Sequence, residues 1–575
     1  MRRLILIILL LWNSMVLAQN IIPQPRTMVI KNAKPVDVKD IEQLQVGNLP
    51  KEGYCINSKG GRLRIEFADS LGLQWARSTL GQMEDEYHRL PSEMTIEDYP
   101  ATAIRGFMHD TGRNFIDLPT IKRHLWLMSF YKFNTFQWHL ADNPGYRIEC
   151  RAYPELNDKK FQSRDGGMFY TYDQIRDVIS LAHELGIRVI PEIDIPGHSA
   201  YFDRTFGFSM DSPEGRKVLE SCFAEFFAEI PASDCPIVHI GSDEVQIADP
   251  TGFMRWAQDM VRRAGRTPMS WDPGLPSDST TILQIWNTDR VEQRLLQERP
   301  FVDSYVGYLN YYDPIYFVNK LFHHTPEPKS QGAILCLWND VKVDDKFNIE
   351  RHNGMVPGMM AFAERFWRGA KEDSDFTEFE SRMAFHRDHY CIHSPCYYVA
   401  CGAMQWQIQV ADTLLHTTGG AVDMDVLCAN NNIKVDAPMA LTATTTIYSK
   451  ADTTIRAWVS FETPARSNRI SLGIPEQGQW PQGFEVRVNG VAVEPPLWKE
   501  PGRYGINFNT WHSKENELPY TDEQFYWTRT PSYITLNKGE NKVVVNAPKS
   551  FAGQRWSFAF IPLVINKNGV AVEFK

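Results

Sequence analysis

The sequence predicts an α/β protein: a central (β/α)8 TIM barrel with a small N-terminal α/β domain before it and a C-terminal β-sandwich after it. Three observations carry that class. Eight apolar runs of four to eight residues fall between Ala103 and Trp338, amphipathic helices separate several of them, and beyond about Asp388 the pattern changes to alternation.

A chain of 575 residues with 43% hydrophobic and 12% aromatic residues can bury several cores. Its first residues carry Arg2 and Arg3, an apolar run from Leu4 to Trp12, and Val16-Leu17-Ala18 as a small-residue exit. This predicts a signal peptide over 1–18 and an exported, periplasmic or secreted protein. The run is shorter than the ~20 residues a spanning helix needs, so no stable membrane insertion is expected after signal removal. Sixty basic against 70 acidic residues give a net charge of −10 without a basic block, which excludes nucleic acid as an expected partner. Nine cysteines lack any CxxC or metal-type spacing, and most read as buried thiols.

In chain order, residues 20–100 mix β-like runs (Thr27 to Ile30, Arg62 to Phe67) with a helical stretch from Ser70 to Tyr87, a small α/β domain. Residues 101–388 hold the barrel runs: Ala103 to Met108, Thr135 to Leu140, Ile187 to Ile190, Ile237 to Ile240, Pro268 to Trp271, Thr281 to Trp286, Val302 to Tyr308 and Ala333 to Trp338. The clearest unit begins at Thr171, which with Gln174 forms a capping box. Apolar residues at helical spacing follow from Ile175 to Leu185, Gly186 stops the helix, and the strand Ile187 to Ile190 comes at once. Residues 389–575 alternate, as in Ile455 to Phe461 and Phe484 to Val488, with Asn489-Gly490 a hairpin signal.

Barrel strands deliver their C-terminal ends to one mouth, and most of these runs end in Asp, Glu, His, Trp, Tyr or Asn. The sharpest is His239-Ile240-Gly241-Ser242-Asp243-Glu244-Val245, a buried strand opening through glycine onto two carboxylates. Adjacent residues point in different directions, so the two acids cannot flank one sugar ring about 5 Å apart as nucleophile and acid. One acid and one helper is the better division. Trp271, Trp286 and Trp338 each close a strand, and Tyr308 closes another; indole faces suit the C–H surface of a pyranose. Glu192 and Asp194 lie two apart and share a face, Asp194 reading as a network partner of His198 and Glu192 as structural. His109 and His139 have no metal-type spacing, so neither metal nor cofactor is expected.

A set of segments between about Tyr87 and Trp367 resembles glycoside hydrolase family 20, the β-N-acetylhexosaminidases. They are Arg105-Gly106 with Asp110 and Arg113; Lys132-Phe133-Asn134 leading to Trp138-His139-Leu140-Ala141-Asp142 and Gly145-Tyr146-Arg147; Pro191-Glu192-Ile193-Asp194 with Pro196-Gly197-His198; His239 to Val245; Gln284 with Trp286; Tyr308-Leu309-Asn310; Leu337-Trp338; and Ala363-Glu364-Arg365 with Trp367. The resemblance implies exo-acting removal of terminal β-linked GlcNAc or GalNAc from a glycan, with retention, the substrate's acetamide closing to an oxazolinium intermediate. It implies Glu244 as acid and base, Asp243 orienting the acetamide, Tyr308 bonding its carbonyl oxygen, Arg105 on the 3- and 4-hydroxyls, and Asp142 and His198 near the acid.

The sequence departs from the family pattern at Asn143, Tyr146, Asp340 and Asn310. Asp340 stands where a Glu binds outer hydroxyls, and Asn310 where many members bind the 6-hydroxyl with an Asp; a neutral residue there implies tolerance of a 6-O-sulfated sugar. Other readings stay open: a disaccharide-releasing member, a catalytically silent carbohydrate-binding barrel, or an unrelated barrel hydrolase using Glu192 and Glu244 as separated carboxylates.

Overall fold

The computed structural model describes residues 20–574 apart from 85–86, 288–298, 300, 328, 371–374, 392–393, 462–469, 504–506, 509–521 and 564–571. The expected signal segment lies outside the described residues. Two compact units emerge: Met1–Tyr308 with His323–Asn339 and Met359–Asp373, and Leu309–Phe322 with Asp340–Gly358 and Ser374–Lys575.

The first unit opens with a five-stranded sheet of β1 (Thr27–Val36), β2 (Asp40–Gln45), β3 (Tyr54–Lys59), β4 (Arg62–Phe67) and β5 (Leu90–Asp98), in the order β1-β5-β3-β4-β2. Helix α1 (Ser70–Met83), capped by the Asp69 side chain, lays Trp75, Ala76, Leu80 and Met83 on the sheet's Ile56, Ile65, Met94 and Ile96. Trp367, from the helix Met355–Arg368, completes that core. The small domain and the barrel therefore share apolar contacts and form one unit.

The barrel strands are β6 (Ile104–Asp110), β7 (Thr135–His139), β8 (Arg188–Glu192), β9 (Ile237–His239), β10 (Thr267–Asp272), β11 (Ile282–Ile285), β12 (Phe301–Asp303) and β13 (Ser330–Leu337), all parallel and closed by β13 pairing with β6. All eight expected runs are barrel strands. The seventh is shorter than the apolar run that marks it: the Asp303 carboxylate accepts from the Val306 backbone N at 3.0 Å, which turns the chain, and Tyr308 returns only as a single bridge to Cys336. Helix α2 (Leu118–Phe130) joins β6 to β7, and α3 (Tyr172–Glu184), with both halves of the Thr171–Gln174 capping box formed, leads into β8 through Gly186 at φ 76°. Inside the barrel, Ile104, Met108, Ile190, Met269, Val302 and Ile334 fill the axis.

The N-terminal end of the barrel is locked by buried charge. Arg105, second residue of β6, pairs with Glu52, and its Nε donates to the Lys132 carbonyl at 2.9 Å. The Lys132 Nζ lies 2.9 Å from Asp98 Oδ2, and the indole N–H groups of Trp75 and Trp367 donate to Glu52 and Asp98. Each charge thus has both an ionic partner and hydrogen bonds, the condition under which burial is tolerable.

The second unit carries two antiparallel sheets. One runs Thr413–Thr418, Gln405–Val410, Leu441–Ser449, Gly539–Asn546, Glu485–Val488, Val491–Ala492, and the other Ala421–Asp423, Ser557–Leu563, Thr453–Ser460, Ser532–Leu536. They face one another, with the Trp406 ring 5.0 Å from Phe558, so the unit is a sandwich. Asn489 and Gly490 make the expected hairpin turn at φ 52° and 82°. The segments 309–322 and 340–358, which the sequence assigns to the barrel stretch, group with this unit through Asp313–Tyr526 and Arg351–Asp522 contacts. No disulfide forms among the described residues, and every cysteine but Cys391 is buried. No described helix is long and apolar enough to cross a membrane.

Because Arg105 is a structural cation, Arg105→Met is expected to lower stability by ~3–5 kcal/mol by leaving the Glu52 carboxylate buried and unpaired. Chemical denaturation followed by tryptophan fluorescence measures it; stability within ~1 kcal/mol of wild type would show that the lock carries no weight.

Candidate active site

Alternation along the strands decides which side chains enter the barrel. On β7 Gln137 and His139 point inward, on β8 Glu192 and on β9 His239, where strands of this fold ordinarily stack apolar layers. Glu192 has no solvent exposure; its Oε2 accepts from Gln137 Nε2 and its Oε1 from Trp271 Nε1, both at 2.7 Å. The same Oε1 lies 3.0 Å from His139 Nδ1 and 3.5 Å from His239 Nδ1. Burial alone would raise this carboxyl, but the two imidazoles and the Gln137 bond bring its pKa down to about 2. His139 moves the opposite way: burial pulls it down, Glu192 and Asp142 pull harder, and its pKa ends well above the ordinary histidine value.

The charges alternate on toward the mouth. His139 Nε2 lies 3.0 Å from Asp142 Oδ2, which also meets Arg113 Nη2 at 3.0 Å. The other arm of Arg113 donates to Asp110 Oδ2 at 3.0 Å, so one guanidinium ties the end of β6 to the loop after β7. The second oxygen of Asp142 faces His198 Nδ1 at 3.7 Å, and His198 Nε2 lies 3.9 Å from Asp243 and 3.6 Å from Glu244. Burial disfavours charge on His198, yet Asp142 and the two following carboxylates hold its pKa well above the usual range. Donor atoms of Asp194, His198 and Asp243 converge within 4.8 Å.

After β9 the chain turns in a strained run, with Gly241 at φ 61°, Ser242 at 84° and Glu244 at 48°, while the facing His198 sits at 47°. Left-handed backbone at three non-glycine residues has a cost and is concentrated where side chains must be aimed. The Asp194 carboxylate anchors the turn by accepting from the Ser242 backbone N at 2.9 Å, and it passes so close to Gly241 that a Cβ there would lie 1.9 Å from its Oδ1. The run separates the two acids: Glu244 keeps 44% of its side chain exposed against 14% for Asp243. The Asp243 Oδ1 is buried with no hydrogen-bond partner among the described residues. Burial, helped by Glu244 and opposed by His198, raises the Asp243 pKa.

Aromatic rings wall this end. Trp338, half-buried, has the Arg113 guanidinium 5.0 Å from its ring, His139 edge-on at 5.0 Å and Tyr308 edge-on at 6.0 Å. Trp286 is half-buried and donates to the Pro273 carbonyl at 2.7 Å. Burial first, and the nearby Cys336 and Asp243 next, keep the Tyr308 phenol protonated by raising its pKa well above 10.

The structure therefore brings together Asp142, His198, Asp243, Glu244, Tyr308, Trp286 and Trp338. Two expectations are corrected. Arg105 is not at the mouth: it enters at the opposite end of β6, is 1% exposed and is spent on Glu52. The arginine of the mouth is Arg113, three residues past the strand end, and the rule that C-terminal strand ends carry the site was the signal for choosing it. Trp271 offers no free face; it is 1% exposed, packed 4.9 Å from His239 and 5.7 Å from Trp338, and forms a floor beneath the latter. Asn310 and Asp340 belong to the second unit, where both are buried and the Asn310 amide donates to Asp340 Oδ2 at 3.3 Å. His139 and Glu192, read in the sequence as roleless or structural, stand between the barrel axis and His198.

The stretch that holds Asp142 and His198, ahead of the acid pair that follows the fourth strand, has a recognisable relative. Part of the chain matches the glycosyl hydrolase family 20 catalytic domain. The match covers residues 103–212, from β6 past His198. Curated relatives align over longer stretches: the chain is 27% identical over 403 residues to the β-N-acetylhexosaminidase of Cellulomonas fimi, spanning 60% of this chain and 79% of that one. It is 28% identical over 306 residues to the β-hexosaminidase of Vibrio furnissii, spanning 42% and 49%. Among solved structures, the β-N-acetylhexosaminidase of Bacteroides fragilis superposes with a TM-score of 0.54 at 24% identity over 60% of this chain and 83% of its own. The family 20 exo β-N-acetylglucosaminidase of Vibrio harveyi, solved with N-acetylglucosamine, gives 0.56 at 22% identity over 64% and 77%. These superpositions establish the shared fold.

Gly241→Ala is expected to cost about 2–3 kcal/mol, because a Cβ at positive φ would overlap Asp194 and force the acid loop to shift. Thermal unfolding together with the near-UV spectrum checks this; a variant as stable as wild type would show that the loop has slack.

Proposed function

We propose that the chain is an exo-acting β-N-acetylhexosaminidase that removes terminal β-linked GlcNAc or GalNAc from glycans with retention, using the substrate's own acetamide as nucleophile. The observation that carries the proposal is the unequal acid pair: Glu244 reaches solvent, while the neighbouring Asp243 presents a buried acceptor oxygen that no protein group satisfies among the described residues. Glu244 protonates the glycosidic oxygen as the C1–O bond breaks, and the acetamide oxygen closes on C1 to give an oxazolinium ion. Asp243 accepts the acetamide N–H and offsets the charge of that ring, and the Tyr308 hydroxyl donates to the acetamide oxygen. Glu244, now a carboxylate, takes a proton from the water that reopens the ring at C1.

His198 supports both acids from one side. Its imidazolium favours the carboxylate of Asp243, and its Nε2–H gives Glu244 an anionic state to return to after proton donation. Arg113 is the cation for the sugar's ring hydroxyls in this reading, since it stands beside Asp142 and over Trp338. A conventional retaining pair of Glu192 and Glu244 is disfavoured: Glu192 is fully buried beneath Trp271 and Gln137 and cannot meet an anomeric carbon.

Glu244→Gln is expected to lower kcat on 4-nitrophenyl β-GlcNAc by roughly 10²–10⁴-fold, and the matching β-glucoside, which lacks the acetamide, should not be cleaved by wild type. Steady-state kinetics on the two glycosides check both; cleavage of the glucoside at a comparable rate would overturn the assisted mechanism.

Tolerance of a 6-O-sulfate is a finer matter. A neutral Asn310 supports it, but its amide is bonded to Asp340 at 3.3 Å, so a carboxylate stands beside the position the sequence leaves uncharged. The unsulfated sugar is the proposed substrate. On this reading 4-nitrophenyl β-GlcNAc is turned over faster than its 6-sulfate, and a rate ratio favouring the sulfate would reverse it.

A further inference from the structure

We propose that Glu192 and His139 are positioning residues for this reaction, a buried ion pair that fixes Asp142 and through it the imidazolium on which Glu244 relies. The inference rests on the assignment of Glu244 as general acid. Four contacts run in one file: Glu192 Oε1 to His139 Nδ1 at 3.0 Å, His139 Nε2 to Asp142 Oδ2 at 3.0 Å, Asp142 Oδ1 to His198 Nδ1 at 3.7 Å, and His198 Nε2 to Glu244 Oε2 at 3.6 Å. The file alternates acid and base. It begins at the barrel axis with no solvent exposure and ends at an exposed carboxyl.

A purely structural role explains this poorly. A (β/α)8 interior is filled by apolar side chains, and an ion pair there is usually no more stabilising than well-packed hydrophobes of the same volume. Here Glu192 is caged by Trp271 and Gln137, so its charge cannot turn away from His139. Carboxylates stand against both nitrogens of the His139 ring and favour its cation, and Trp338 packed edge-on at 5.0 Å holds its plane. The cation in turn holds Asp142 against His198. Outer partners that orient metal ligands are worth about 10- to 100-fold, and the same scale is expected of this file.

The test separates proton delivery from general damage by varying the leaving group. A dinitrophenolate departs without a proton, whereas an alkyl alcohol needs one, so a defect routed through the general acid appears only on the alkyl glycoside. Glu192→Gln is expected to lower kcat about 10- to 100-fold on an alkyl β-GlcNAc, with KM nearly unchanged and with less than about threefold loss on the 2,4-dinitrophenyl glycoside. Glu192→Asp, which keeps the charge in the same cage, should recover most of the alkyl activity. Equal losses on both substrates, or none, would overturn the proposal. If Glu192→Gln does not accumulate as folded protein, His139→Gln read against Glu192→Asp gives the same contrast. Glu244→Gln run alongside distinguishes the two failures: without leaving-group dependence in that variant, the acid assignment fails and not the file behind it.

Discussion

A single carboxylate buried on the barrel axis organises the mouth. Glu192 occupies a layer that would otherwise be aliphatic, and everything around it is polar in response: Gln137, His139, His239 and the Trp271 N–H converge on two oxygens. Burial would raise its pKa and the imidazoles beside it bring it down to about 2, so the anion and its neighbouring cation support one another. That cation fixes the next anion, and the sequence of signs is carried out of the core to His198 without a water-exposed link.

The opposite end of the same barrel solves a similar problem for a different purpose. Arg105 and Lys132 are as deeply buried as anything at the mouth, but their partners Glu52 and Asp98 come from the five-stranded sheet domain and bind it to the barrel floor. Among the described residues no exposed carboxyl terminates this network. Two ionic clusters thus occupy the two ends of one barrel, one joining elements and the other reaching a side chain that can exchange a proton.

That difference marks where the sequence was readable. Strand positions, the Thr171 capping box and the Asn489-Gly490 turn follow from local rules of periodicity and turn chemistry, and they appear in the structure as expected. The acid pair after the fourth strand was visible because two adjacent carboxylates rarely follow a buried run. Arginine was misjudged because residue type at a motif position says nothing about which end of a strand it occupies; Arg105 and Arg113 are eight residues apart and a barrel height separates their roles. His139 and Glu192 were not legible as a unit, since the pairing of β7 with β8 that sets His139 opposite Glu192 is a register no single segment contains.

The unequal exposure of Asp243 and Glu244 is itself a product of backbone strain. In an extended strand two neighbours would simply alternate, one inward and one outward, with no control over how far each reached. Left-handed conformations at Ser242 and Glu244 break that alternation, and the Asp194 anchor on the Ser242 N–H keeps the chain from relaxing. Asp243 is thereby kept in a place where burial and the Glu244 charge oppose its ionisation while His198 favours it. An acceptor balanced in this way gains most when a donor that becomes cationic arrives, which is the change an acetamide undergoes on closing to an oxazolinium ring. Under the proposed mechanism the strain, the buried imidazolium and the partnerless oxygen would serve one requirement: a site more complementary to the charged intermediate than to the neutral sugar.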